Sequence, residues 1–133
     1  MRNNIWRMLV CLLVIIPMIG SINSPLKDFT PDESVGDCTT YANDPFKSGS
    51  SVLGSGGVSC LYTQSVIQVV VTVYDVTAGN RSSQGTNSCP GGSSCSATSG
   101  TVSFVSGHSY RTEVSVYFSS SNQYAQSPDI RIW

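Results

Sequence analysis

The chain has 133 residues, enough for one domain, and 11% of them are charged, about half the usual share in a globular protein. Seven basic residues face eight acidic ones, and two of the seven, Arg2 and Arg7, stand at the extreme N-terminus. This balance excludes the basic surface that a nucleic acid or an anionic membrane would require of its partner.

The first twenty residues have the pattern of a secretory signal peptide. A polar start with two arginines precedes an apolar run at residues 8–19, MLVCLLVIIPMI. A membrane-spanning helix requires about 20 apolar residues, so we expect cleavage near residue 20, with an uncleaved N-terminal anchor as the alternative. Cys11 lies inside this run and is expected to be removed with it. Residues 21–36 contain two prolines and no periodicity, which predicts a flexible lead-in to a domain at residues 37–133.

From residue 37 onward, short apolar segments alternate with turn-forming clusters of Gly, Pro, Ser and Asn. The segments predicted to be strands are 37–43, 51–53, 57–62, 65–76, 101–105, 110–118 and 129–133, whereas the polar residues 119–128 are predicted to form a loop. Turns at this spacing, without helical periodicity outside the signal, indicate an all-β fold. The prediction is a small immunoglobulin-like antiparallel β-sandwich of about seven strands.

The segment at residues 65–76, SVIQVVVTVYDV, predicts the central strand. Its buried face comprises Ile67, Val69, Val71 and Val73, and its other face comprises Gln68, Val70, Thr72 and Tyr74. In the segment 110–118, YRTEVSVYF, the buried face comprises Tyr110, Thr112, Val114, Val116 and Phe118, and the wet face comprises Arg111, Glu113, Ser115 and Tyr117. The approach GHSY resembles that of a tyrosine corner, in which the Tyr110 hydroxyl would bond back to the upstream backbone.

Four cysteines remain after the signal, Cys38, Cys60, Cys89 and Cys95, and an exported chain with an even count predicts two disulfides. Three pairings are possible. We favour Cys38–Cys60 with Cys89–Cys95, because the second pair flanks a Pro-Gly-Gly turn that brings its ends together. A structural metal site would require three or four ligands. The chain offers one histidine and no C-x₂-C motif, so no metal site is expected.

No catalytic arrangement is evident in the sequence. His108 is the single histidine, and although Ser106, Ser109 and Glu113 are near it, no G-x-S-x-G motif supports a triad. We therefore predict that His108 is an exposed residue in a turn. The acids Asp37, Asp44, Asp75, Glu113 and Asp129 are scattered, which indicates solubilising positions rather than a catalytic pair. The alternative to a solubilising role is a calcium site built from Asp75 and loop carbonyls. The sequence contains no cofactor-binding motif.

An aromatic surface is the strongest candidate for a binding site. Tyr74 and Tyr117 lie on the predicted outer faces, which they share with Gln68 and Thr72. If the two strands are neighbours, these residues form a flat platform that could stack on a sugar ring or contact a protein. The alternative is a cross-strand tyrosine pair that only stabilises the sheet.

From Cys38 onward the chain resembles small secreted bacterial proteins of unknown function that carry two cysteine pairs. The resemblance rests on Cys38 with Pro45 and Ser48-Gly49, on residues 54–60, 67–74 and 89–95, and on Tyr110 to Thr112. It implies export and the favoured disulfide pairing, and it carries over no catalytic residue.

We therefore expect a secreted, non-enzymatic β-sandwich that binds a cell-wall polysaccharide or an extracellular protein. Neither nucleic acid nor, after signal cleavage, a membrane is an expected partner. A small hydrolase, or an enzyme inhibitor that presents the Cys89–Cys95 loop, is the alternative.

Overall fold

The computed structural model describes residues 33–35 and 37–133. The predicted signal peptide and most of the predicted lead-in lie outside the described residues. Within the lead-in, Glu33–Val35 forms a short strand that pairs with the strand beginning at Cys38. The described part of the chain includes no helix long and apolar enough to cross a membrane.

Regular structure in the described residues consists of β-strands, and every strand pairing is antiparallel. The strands are β1 (Glu33–Val35), β2 (Cys38–Ala42), β3 (Phe46–Ser48), β4 (Ser51–Leu53), β5 (Ser55–Gln64), β6 (Ile67–Asp75), β7 (Asn80–Arg81), β8 (Gly85–Ser88), β9 (Gly92–Thr98), β10 (Val102–Ser103), β11 (Ser109–Phe118), β12 (Asn122–Gln126) and β13 (Ile130–Arg131).

Several of these strands are successive parts of one longer strand. β2 continues into β3, β4 into β5, and β9 into β10, and together they form a three-stranded layer with β1 on its outer edge. In the four-stranded layer, β12 and β13 follow one edge of β11, and β7 and β8 follow one edge of β6. The predicted all-β antiparallel sandwich is confirmed.

The core lies between the two layers, against the inner faces of β6 and β11. The four inward residues of β6 are fully buried, as predicted: Ile67, Val69, Val71 and Val73. On β11 the predicted inward positions are also buried, except that Phe118 is only partly covered. Burying one such valine contributes about 1.5–3 kcal/mol, so this alternation is a main source of stability.

Tyr110 anchors one end of β11 in the way that the sequence predicts. Its side chain is fully buried, and its hydroxyl accepts a hydrogen bond of 2.8 Å from the backbone N–H of Val105. The same hydroxyl lies 3.3 Å from the carbonyl oxygen of Ser103, to which it donates. The side chain therefore fixes the connection between β10 and β11.

The prediction of a loop at residues 119–128 is wrong, because β12 occupies half of this segment. The inward positions of β12 are Gln123 and Ala125, both buried. Gln123 is accommodated because the Thr40 hydroxyl donates a hydrogen bond of 2.6 Å to its side-chain oxygen. Gln123, a buried polar residue with a hydrogen-bond partner, therefore stands at an inward position where a strand usually has an apolar residue, and the sequence pattern of a strand is lost.

The structure joins Cys38 to Cys60 and Cys89 to Cys95, the pairing that the sequence favours. The first bridge links directly opposed residues of β2 and β5, with a Cα–Cα distance of 4.0 Å. The second joins Cys89, which directly follows β8, to Cys95 within β9. Both bridges lie at the end of the sandwich where β5 leads into β6.

Candidate functional site

The predicted binding residues lie on the solvent side of the four-stranded layer. The β6–β11 register places Tyr74 opposite Arg111 and Gln68 opposite Tyr117. The outer face, as we call this surface, comprises Gln68, Val70, Thr72 and Tyr74 of β6, Arg111, Glu113, Ser115 and Tyr117 of β11, Asn122, Tyr124 and Gln126 of β12, and Arg81, Thr86 and Ser88 on the β6 edge. The two strands are therefore neighbours, as the platform hypothesis requires.

The two predicted tyrosines lie at opposite ends of the outer face. The position opposite Tyr117 is Gln68, six residues along β6 from Tyr74. At about 3.3 Å per residue, this separates the two tyrosines by about 20 Å. The alternative of a cross-strand tyrosine pair is wrong, and the two rings are too far apart to stack on the same sugar ring.

Tyr74 is half-buried beneath two arginines. The guanidinium carbons of Arg81 and Arg111 lie 4.5 and 5.4 Å from the centre of its ring. The Glu113 carboxylate accepts hydrogen bonds from both arginines, and Arg111 also lies 3.4 Å from the carboxylate of Asp129. Two positive charges thus offset two negative ones, and the cation–π contacts hold the Tyr74 ring within this cluster. Tyr74 supports the face rather than offering a free ring.

The opposite end of the outer face presents exposed rings. Tyr117 is 39% exposed and Tyr124 is 42% exposed. Tyr124 lies opposite Ser115, two residues from Tyr117, so the tyrosines are diagonal neighbours about 7–8 Å apart. Tyr124 is not among the residues that the sequence predicts for this face, because it lies in the segment predicted to be a loop. The sequence NQYAQ has no apolar alternation by which this strand could be detected, because one of its two buried residues is Gln123.

A shallow groove of about 460 Å³ crosses the middle of the outer face. Its lining includes Thr72, Glu113, Ser115, Tyr124 and Gln126. Together with the guanidinium groups of Arg81 and Arg111, which also line the groove, these side chains present hydroxyl, carboxylate and amide groups beside one aromatic ring. Such a surface can donate and accept hydrogen bonds over several ångströms while a ring stacks at one side.

His108 is not the exposed turn residue that the sequence predicts. Its Nδ1 lies 2.9 Å from a carboxylate oxygen of Asp75, and its side chain is only 25% exposed. Asp75 is itself buried, and its other oxygen accepts a hydrogen bond from the backbone N–H of Ala78. A cavity of about 270 Å³ borders the pair and is also lined by Thr101 and Ser103. The pair links the end of β6 to the turn before β11.

The Cys89–Cys95 segment does not form a projecting loop. β9 begins at Gly92, which leaves Pro90 and Gly91 as the turn. The backbone N–H groups of Cys89 and Gly91 donate to the carbonyl oxygens of Ile67 and Ser65. This segment therefore lies against the start of β6 and supports it. Among the described residues, no group of three or more His, Cys, Asp or Glu side chains is placed to hold a metal ion.

Comparisons with known proteins add one structural similarity. No protein-family model and no curated protein matches the sequence. The solution structure of CsgH from R. palustris is similar over 68% of this chain and 88% of its own, with 16% sequence identity and a TM-score of 0.42. This similarity assigns no activity to the present chain.

Proposed function

We propose that this protein is a secreted, non-enzymatic, immunoglobulin-like module that binds an extracellular polysaccharide on its outer face. The two disulfides support export, because such bonds persist in oxidising compartments outside the cytosol. The arrangement of antiparallel strands in two layers and the Tyr110 anchor support the immunoglobulin-like assignment.

The observation that carries the proposal is the exposed pair Tyr117 and Tyr124, of which Tyr124 lines the groove. A sugar ring has C–H faces that stack on an aromatic ring and hydroxyls that bond to polar groups. The amides of Gln68, Asn122 and Gln126 share the outer face with these rings. They could supply hydrogen bonds to several sugar hydroxyls.

The composition of the outer face favours a polysaccharide over a protein. The core of a protein interface is typically apolar and excludes water. The outer face instead consists mainly of polar side chains, with Val70 as its one aliphatic residue. Because its charged cluster is balanced, we expect binding to change little when the salt concentration is raised about tenfold.

The test is retention of the folded protein on insoluble cell-wall polysaccharides. We expect the double variant Tyr117→Ala/Tyr124→Ala to bind about tenfold more weakly or worse, because each ring contact contributes about 0.5–1.5 kcal/mol. Tyr62→Ala is the matched control, since Tyr62 is an exposed tyrosine outside the outer face. Equal retention of the double variant and the wild type would refute the site, and so would an equal loss in the control. A wild type retained by none of these polymers would refute the function.

A further inference from the structure

The pairing of β5 with β9 is interrupted at the end of the sandwich that carries both disulfides. The register passes from Ser59 opposite Ser94 directly to Gln64 opposite Gly92. Four residues of β5, 60–63, therefore face a single residue of β9. We call residues 60–63 the bulge. Insertions of this kind re-aim side chains and occur frequently beside functional sites.

The bulge exposes two large side chains that are adjacent in sequence. Leu61 is 78% exposed and Tyr62 is 66% exposed. In a regular strand covered on one face, one of any two consecutive side chains points toward the core. The bulge removes this constraint, and it presents both side chains to solvent while the backbone remains extended as part of β5.

Both disulfides restrain the bulge. Its first residue, Cys60, is bonded to Cys38, and the N–H of Leu61 donates to the carbonyl oxygen of Asp37 at 2.8 Å. On the other side, the Cys89–Cys95 bridge closes the turn that faces the bulge. An exposed apolar segment held in one extended conformation loses little entropy when a partner binds it.

The shape and charge of this region indicate the kind of partner. The bulge is short and presents only two large exposed side chains, so it fits a cleft better than a flat interface, which usually requires about 800 Å² from each protein. Residues 60–66 and 88–94 include no charged side chain. A cleft that matches them has apolar subsites and does not select for Lys, Arg, Asp or Glu.

We propose that the bulge enters the substrate cleft of an extracellular peptidase that accepts large apolar side chains, and that it inhibits the peptidase by occupying this cleft. Such clefts bind extended peptides in part through side-chain pockets, and Leu61 and Tyr62 present two large side chains for such pockets in a restrained form. No bond is made or broken in this step. The site is separate from the outer face and does not depend on polysaccharide binding.

The experiment is a steady-state inhibition assay with the disulfide-bonded protein. The probes are a chymotrypsin-like peptidase and a subtilisin-like peptidase, with a trypsin-like peptidase as the specificity control. We expect inhibition of at least one of the first two at about 1 μM or below, and none of the third. Tyr62→Ala and Leu61→Ala should weaken inhibition at least tenfold, and Tyr62→Arg should create inhibition of the trypsin-like peptidase.

Two further variants separate this proposal from the others. Tyr117→Ala/Tyr124→Ala should inhibit as well as the wild type, because its changes lie on the outer face. Cys89→Ala/Cys95→Ala should be cleaved within the bulge, because a less restrained segment becomes a substrate. The proposal would be overturned if about 10 μM of the protein gave no inhibition, or if Leu61→Ala and Tyr62→Ala inhibited as well as the wild type. Tyr62-dependent dimerisation or binding to phosphatidylcholine vesicles, without inhibition, would also overturn it by assigning the surface to another partner.

Discussion

Replacing Tyr110 with phenylalanine should destabilise the domain by removing one hydroxyl and leaving the rest of the side chain in place. The ring is fully buried, so its apolar burial is unchanged by the substitution. What is lost is the hydrogen bond from the Val105 N–H and the weaker contact with the Ser103 carbonyl. Val105 itself is 44% exposed, so water can partly replace the hydroxyl as a partner. We expect a loss of about 1–2 kcal/mol, within the usual cost of leaving a polar group unpaired.

Urea unfolding followed by circular dichroism, with the disulfides intact, measures this loss directly. The urea concentration at the midpoint should fall while the dependence of the unfolding free energy on urea stays constant, because Tyr110→Phe and the wild type expose nearly the same surface on unfolding. Tyr117→Phe is the matched control, since its hydroxyl lies on the outer face, and it should change stability by less than about 0.5 kcal/mol. If Tyr110→Phe were as stable as this control, the hydroxyl would not anchor the β10–β11 connection.

Three further predictions concern the disulfides, Gly54 and His108. Removing the Cys38–Cys60 bridge as a double alanine variant should lower the free energy of unfolding by about 3.4 kcal/mol, and removing Cys89–Cys95 should lower it by about 2.3 kcal/mol, because the first bridge closes the longer loop. If urea unfolding gave the reverse order, it would contradict the chain-entropy reasoning. Gly54→Ala should cost about 1–3 kcal/mol, because its Cβ would lie 2.5 Å from Oγ1 of the buried Thr112. Thr112→Ala in the same chain should restore part of this loss, and no recovery in thermal unfolding would show that the contact is not its cause. His108→Ala should cost about 1–3 kcal/mol, since it removes the partner of the buried Asp75 carboxylate. Asp75→Asn, which retains hydrogen-bonding groups, should cost less, and equal losses in the two variants would contradict this explanation.

The strands that could be predicted from the sequence are those whose inward positions are mainly apolar. β6 and β11 alternate so regularly that their buried faces follow directly from the order of residues. β12 could not be found in this way, because one of its inward residues is Gln123, whose burial depends on a hydroxyl 83 residues away at Thr40. A polar residue that is satisfied by a distant partner looks in the sequence like a residue of a loop.

The candidate site could be predicted in part from the alternation of inward and outward residues along β6 and β11. Alternation places Tyr74 and Tyr117 on outer faces, but it does not fix the register between strands. The register places Arg111 opposite Tyr74, and the edge strand β7 adds Arg81, so that the first tyrosine is held by two arginines. The bulge also depends on pairing, because LYTQ has no feature that shows where β9 loses contact with β5.

The most direct test of the binding face is chemical-shift mapping of the isotope-labelled protein during titration with soluble cell-wall polysaccharide fragments. The amides of β11 and β12 around Tyr117, Tyr124 and Gln126 should shift progressively, whereas those of the bulge should stay in place. Shifts confined to the bulge, or a spectrum unchanged in the presence of every fragment, would contradict the assignment of the outer face as the polysaccharide site.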